Sequence, residues 1–160
     1  MKTCLVGCGG IAAVHGSVLT SDIDTEFVAA ADIKPKKAQT YAENFHTKPY
    51  PSLESMLEAE KPDVLHICTP HYLHVPMAIY SLERNINVFM EKPPAISFDQ
   101  LEELKKAAAK SETQLGFCYQ NRYNASIRAA KDLIDSGKAG KVLGARAFVT
   151  WCRGAAYYTE

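Results

Sequence analysis

The opening stretch constrains this chain more than any other. A short apolar run, Cys4-Leu5-Val6, passes straight into Gly7-Cys8-Gly9-Gly10 and then into Ile11-Ala12-Ala13-Val14-His15 with no polar linker. A strand that turns through glycines into a helix leaves backbone N–H groups unpaired at the positive end of the helix dipole. That geometry suits a pyrophosphate. The spacing Gly7-x-Gly9-x-x-Ala12 fits the dinucleotide-binding fingerprint. Gly7 makes the turn, Gly9 lets phosphates approach the backbone, and Ala12 keeps helix and strand close; Gly10 and Ile11 complete the loop. A bare glycine match is weak, so context decides. The fingerprint calls for a strand before, a helix after, and an acidic residue ending a second strand about 20 residues on. Glu26-Phe27-Val28-Ala29-Ala30-Ala31-Asp32 meets the last requirement. Asp32 can accept both ribose hydroxyls of an adenosine and would repel a 2′-phosphate, which favours NAD over NADP.

The rest of the chain repeats the alternation. Strands are expected at 27–31, 46–50, 64–68, 87–90 and 114–118. Helices of about ten residues are expected between them, one opened by Pro35, one capped by Ser52, one over 72–83 and one opened by the capping box Ser97-x-x-Gln100. Apolar strands alternating with helices mean right-handed βαβ units and a parallel, doubly wound α/β sheet of the Rossmann type. At 160 residues such a chain buries about 70% of its unfolded surface, enough for a core without disulfides or metal. The pattern changes near residue 120. An amphipathic helix over 123–136 is followed by glycines and by a partly alternating stretch, Val142 to Trp151, expected as a strand with one exposed face. The organisation expected is therefore a dinucleotide-binding domain over 1–120 and, over 121–160, the beginning of a second α/β domain. The sequence closes on Tyr157-Tyr158-Thr159-Glu160, with aromatics expected to have nothing further to pack against.

Several function classes recede on composition. Lysine plus arginine equals aspartate plus glutamate at 18 each, which gives no reason to expect nucleic acid or a membrane surface as partner. Five scattered cysteines with no C-x-x-C pair read as reduced thiols, and no stretch approaches a membrane span or leaves room for a signal peptide. A cytoplasmic protein is expected.

Ligands of an open parallel sheet bind beyond the carboxyl ends of its strands. The polar residues at those ends are thus the candidates: Asp32, Thr69-Pro70-His71, Glu91-Lys92 and the segment to Arg122. Thr69, Pro70 and His71 fall where backbone would cross beneath a nicotinamide. Lys37, early in the second helix, is placed to brush the adenosine end, though a solvated surface lysine is the blander reading. His71 and His74 sit three apart on one expected helix face, yet no third ligand stands near, and no metal is expected. His66, inside an apolar run, reads as a hydrogen-bonded core histidine. Lys92 is the candidate catalytic group: an ammonium at a strand end, beside Glu91 and before two prolines, can stabilise negative charge developing on a substrate oxygen. A plain Glu91–Lys92 surface pair is the alternative. Arg122 either reaches phosphate or substrate or braces two domains.

Taken together, Gly-x-Gly-Gly-Ile-Ala-x-x-His, the terminal Asp32, Thr69-Pro70-x-x-x-His74, Glu91-Lys92-Pro93 and Asn121-Arg122 resemble the glucose–fructose oxidoreductase, inositol dehydrogenase and rhizopine catabolism family. The resemblance implies an NAD(P)-dependent oxidoreductase. It implies hydride transfer between nicotinamide and a sugar, polyol or related hydroxyl substrate, with Lys92 matched to the family's active-site lysine. It also implies a second domain carrying the substrate pocket and the oligomer sheet, hence a homo-oligomer at full length and a chain here that binds cofactor but is inactive alone. Two positions depart from the family pattern. His71 stands where asparagine is frequent, and Asn85-Ile86-Asn87-Val88 where the family reads like Gly-Lys-His-Val. Two rival readings share the fold: a non-catalytic NAD(P)-sensing regulator, and an enzyme using held NAD for transient oxidation during glycoside elimination or hydrolysis.

Overall fold

The computed structural model of the protein describes residues 1–155; Tyr157 and Tyr158 lie outside the described residues. Six strands form one parallel sheet: β1 (Lys2–Val6), β2 (Glu26–Ala31), β3 (Lys48–Tyr50), β4 (Val64–Ile67), β5 (Asn87–Glu91) and β6 (Leu115–Cys118). Their order across the sheet is β3-β2-β1-β4-β5-β6, so the winding reverses between β1 and β4. Helices α1 (Ala12–Ser21), α2 (Pro35–Phe45), α3 (Leu53–Glu60), α4 (His74–Leu82) and α5 (Phe98–Lys110) connect the strands. This is the doubly wound sheet the alternation implies. Expected boundaries shift by a residue or two. The largest change is before α4, where His71–Leu73 forms a separate 3-10 turn.

Local chemistry explains the elements. Ser52 and Ser97 cap α3 and α5, their hydroxyls accepting from the backbone N–H of Ser55 and Gln100. Pro35 opens α2 with its φ already helical. Asn85, where the resemblance has glycine, adopts φ 59°, a left-handed conformation that asparagine tolerates better than most side chains. That departure leaves the turn into β5 intact. Cys4, Leu5, Ala29, Ala30, Leu65, Ile67 and Met90 have no exposed surface, as strands covered on both faces require. Each fully buried leucine or isoleucine contributes roughly 1.5–3 kcal/mol.

One charged cluster fastens the sheet away from its carboxyl edge. Glu60, buried at the end of α3, accepts from the Tyr50 hydroxyl at 2.6 Å and the Lys48 ammonium at 2.9 Å, and pairs with Lys2 at 3.0 Å. These hydrogen bonds, Tyr50 foremost, hold its carboxyl down to about 2.

The chain divides into two compact units, Met1–Tyr119 and Gln120–Glu160. The second contains a 3-10 turn, Gln120–Tyr123, and α6 (Ala125–Asp135). The strand expected over Val142–Trp151 does not form, and no described residue in that stretch carries regular structure. A strand exists only through ladder bonds to a neighbour, and among the described residues none lies beside it.

Candidate functional site at the carboxyl edge of the sheet

Parallel register sets the site. Val6 pairs with Ala31 on one side and Ile67 on the other, Ile67 with Met90, and Glu91 with Cys118. The strands therefore end together, and the segments that follow them share one edge. Gly7 leaves β1 with φ +90°, and a Cβ there would lie 2.7 Å from the backbone of Cys68 and Thr69. Only glycine lets the loop after β1 pack against the end of β4, at the reversal of winding. Nothing stands within 4 Å of where side chains at Gly9 or Gly10 would begin.

Beyond the loop, α1 starts with no capping side chain and no acidic residue in its first turn. Among the described residues no backbone carbonyl accepts from the amides of Gly9, Gly10 or Ile11. Asp32 fixes the loop from the next strand end. Its Oδ2 accepts from Cys8 N–H at 2.9 Å and its Oδ1 from Lys34 N–H at 2.8 Å. Asp32 thus joins the glycine loop to the residue that precedes α2, while α2 itself has no side-chain cap. Lys37 is half-buried on α2, near enough to lower the Cys8 thiol against the burial and the Asp32 charge that raise it to about 12. Ala12 is fully buried, and its carbonyl accepts from the Tyr41 hydroxyl at 2.8 Å.

At the end of β4, Thr69 carries a buried hydroxyl with no hydrogen-bond partner among the described residues. An orphaned buried hydroxyl is uncommon and marks a place where a ligand atom would be welcome. Pro70 is exposed beside it, and His71 is exposed on the 3-10 turn. Burial, then the nearby His74 and Lys92, push the His71 ring below its ordinary value. His71 lies on the 3-10 turn and His74 opens α4, and the two rings meet edge-on, with centroids 5.6 Å apart. His74 has no exposed surface, and both its ring nitrogens contact backbone carbonyls.

Glu91 and Lys92 diverge. Glu91 turns inward, 4% exposed, with Oε1 3.1 Å from His15 Nε2. Burial pushes its carboxyl up, but hydrogen bonds from His15 and Cys118 outweigh this and leave it below the usual range. Lys92 faces solvent, and among the described residues its ammonium has no ion pair. The Glu91–Lys92 surface pair is therefore not formed.

His15 is the residue that spacing alone gave no role. Its Nδ1 meets His66 Nδ1 at 2.9 Å, so a hydrogen-bonded chain runs His66–His15–Glu91–Cys118 through β4, α1, β5 and β6. His66 is the core histidine expected, pushed down to about 4 by burial and by His15. His15, Glu91 and Cys118 are metal-ligand types lying within 4.8 Å of one another. Hydrogen bonds already join these three groups to each other. Arg122 lies exposed on the 3-10 turn of the second unit. A separate cleft of about 580 Å³ is lined by Lys61, Pro62, Asn85 and Ile86, which precede β4 and β5, so it opens at the opposite edge of the sheet.

The uncapped α1 terminus, the open space at Gly9 and Gly10 and the orphaned Thr69 hydroxyl fit a dinucleotide. Known proteins agree. D-glucoside 3-dehydrogenase of Escherichia coli is 28% identical over 144 residues, 89% of this chain and 41% of the relative. A 2,7-anhydro-N-acetylneuraminate hydratase of Mediterraneibacter gnavus is 30% identical, over 89% of this chain and 38% of its own length. The crystal structure of the WlbA dehydrogenase from Chromobacterium violaceum, in complex with NADH and UDP-GlcNAcA, superposes with a TM-score of 0.84 at 31% identity, covering 88% of this chain and 41% of that one. The chain thus spans about two fifths of the length of the relatives it matches. A model of an oxidoreductase family with an NAD-binding Rossmann fold matches residues 1–119. The sheet order, the glycine loop locked by Asp32 and the Glu91-Lys92-Pro93 strand end are all found in that span, and the chain belongs to this oxidoreductase family, the one its motifs resemble.

Proposed function

We propose that this chain is the dinucleotide-binding part of an NAD-dependent oxidoreductase acting on a hydroxyl of a sugar or polyol. One observation carries the reading. Asp32 closes on the glycine loop through Cys8 N–H while the amides of Gly9, Gly10 and Ile11 stay unpaired before α1. The phosphates would be held by those amides and the dipole of α1, the adenosine ribose by Asp32, with Lys37 beside it. A nicotinamide, when bound, accepts or returns a hydride at C4. Thr69, Pro70 and His71 would flank that ring, and the unpartnered Thr69 hydroxyl is free to donate to or accept from it. Lys92 would hold the substrate oxygen and stabilise charge on it as the hydroxyl proton leaves. The base that takes this proton belongs to the substrate domain that the family resemblance implies, and Arg122 would face that domain. Asp32 favours NAD over NADP. The same reading makes the full-length enzyme a cytoplasmic homo-oligomer with no nucleic-acid or membrane partner. For the last, the structure shows only that no described helix is long and apolar enough to cross a membrane.

The hydratase among the relatives supports a second reading, in which NAD is held through the cycle and oxidises the substrate only transiently. Cofactor that survives purification would favour it over a dehydrogenase that releases NADH each turnover. The proposal itself is tested by titrating the chain with NADH and NADPH and following fluorescence. Saturable binding, tighter for NADH, is expected. Failure of both to bind would overturn the dinucleotide site, and tighter NADPH would overturn the role given to Asp32.

A further inference from the structure

We propose that His74 is a positioning residue held as a doubly protonated imidazolium, a buried cation that ties the turn carrying Lys92 to the turn carrying Thr69. His74 Nδ1 lies 2.8 Å from the Pro93 carbonyl oxygen and Nε2 lies 2.9 Å from the Thr69 carbonyl oxygen. A carbonyl oxygen can only accept, whereas neutral imidazole offers one N–H and one bare lone pair. With either neutral tautomer, one nitrogen lone pair would face a carbonyl lone pair at hydrogen-bonding distance. His74 is 0% exposed, so solvent cannot relieve that contact. Both protons must be present for both contacts to attract. Burying the charge is costly, and two charge-assisted hydrogen bonds offset it.

The arrangement has two consequences. Thr69 follows β4 and Pro93 follows β5, so one rigid ring sets the spacing between the orphaned hydroxyl and the free ammonium. The second is electrostatic. His74 and Lys92 place two positive charges at this edge, and His71 beside them is pushed toward its neutral form. Oxidised nicotinamide is a cation and the reduced ring is neutral. A fixed positive charge there disfavours the oxidised form, so the site should prefer NADH to NAD⁺. This consequence rests on the dinucleotide reading above; the protonation state does not.

Two measurements on the chain test the proposal separately. A long-range ¹H–¹⁵N correlation spectrum of the labelled chain, assigned through the backbone, reports each histidine ring. Both His74 nitrogens are expected at protonated shifts, and one bare nitrogen would overturn the proposal. The ratio of NAD⁺ to NADH dissociation constants is then compared between the native chain and His74→Gln, which can donate to one carbonyl only. The preference for NADH is expected to shrink by about threefold or more on losing the charge. An unchanged ratio would overturn the electrostatic role. If the native chain binds neither form, the dinucleotide reading fails while the ring spectrum still decides the protonation state. Should His74→Gln not fold, that spectrum of the native chain carries the test.

Discussion

The two units of this chain carry equally patterned sequence but meet different fates. In Met1–Tyr119 every strand finds a neighbour and every long helix covers a sheet face. From Gln120 to Ala155 every described residue is exposed. There α6 forms, leaving Ile127, Leu133 and Ile134 about half exposed, while the alternating stretch after Val142 forms nothing regular. A helix satisfies its own backbone, each N–H bonding four residues back. A strand needs a second strand. An isolated amphipathic pattern can therefore become a helix, whereas an isolated alternating pattern cannot become a sheet.

Hydrogen exchange should show the widest gap. Amides of β1 and β4, buried and laddered, should exchange orders of magnitude more slowly than those of residues 142–155, where open backbone has no protection. Comparable rates in the two would remove the distinction. A matched pair of substitutions sharpens it. Gly7→Ala drives a Cβ to 2.7 Å from backbone at φ +90°, and should cost about 3 kcal/mol or more by denaturant unfolding. Gly137→Ala, at φ +72° with nothing within 4 Å, should cost only about 1 kcal/mol, seen as lost protection in α6. Equal costs would mean that backbone conformation, not packing, dominates at Gly7.

What was legible beforehand follows the same division. The alternation of strands and helices, the Gly7 turn and the Asp32 strand end all come from local spacing, and spacing is visible along a chain. The contacts Glu91–His15 and Glu60–Tyr50 join residues whose separations have no period, so only the fold brings them together. Glu91 looked like a partner for its neighbour Lys92, but successive side chains on a strand point to opposite faces, and Glu91 took the inner one. His15 sat in the glycine motif unread because a lone histidine on an apolar helix signals nothing without its partner. Val142–Trp151 was over-read: its alternation is real, but among the described residues no strand pairs with it.

Acid offers a smaller test within the sheet unit. Glu60 is held at about 2 when folded, against an ordinary value of 4.5. Its contribution is complete above pH 4.5 and is lost as pH falls toward 2. Glu60→Gln should flatten that part of the stability profile and cost about 2 kcal/mol at neutral pH. An unaltered acid limb would show that the cluster does not couple to folding. The smallest stability effect belongs to Lys92→Ala. Exposed and unpaired, Lys92 should change unfolding by no more than about 0.5 kcal/mol and NADH affinity hardly at all. Turnover of a full-length enzyme carrying the change should fall by about 100-fold or more. Near-normal turnover would remove Lys92 from the chemistry.

The chain of contacts from His66 through His15 and Glu91 to Cys118 has a consequence for anyone recombining such proteins. The helix that begins at the glycine loop and the strand that delivers the lysine are spliced by side chains from four separate elements. A crossover between residues 15 and 91 would inherit one half of that splice from each parent. Chimeras cut there should fail more often than those cut after Tyr119, even when each half carries an intact motif.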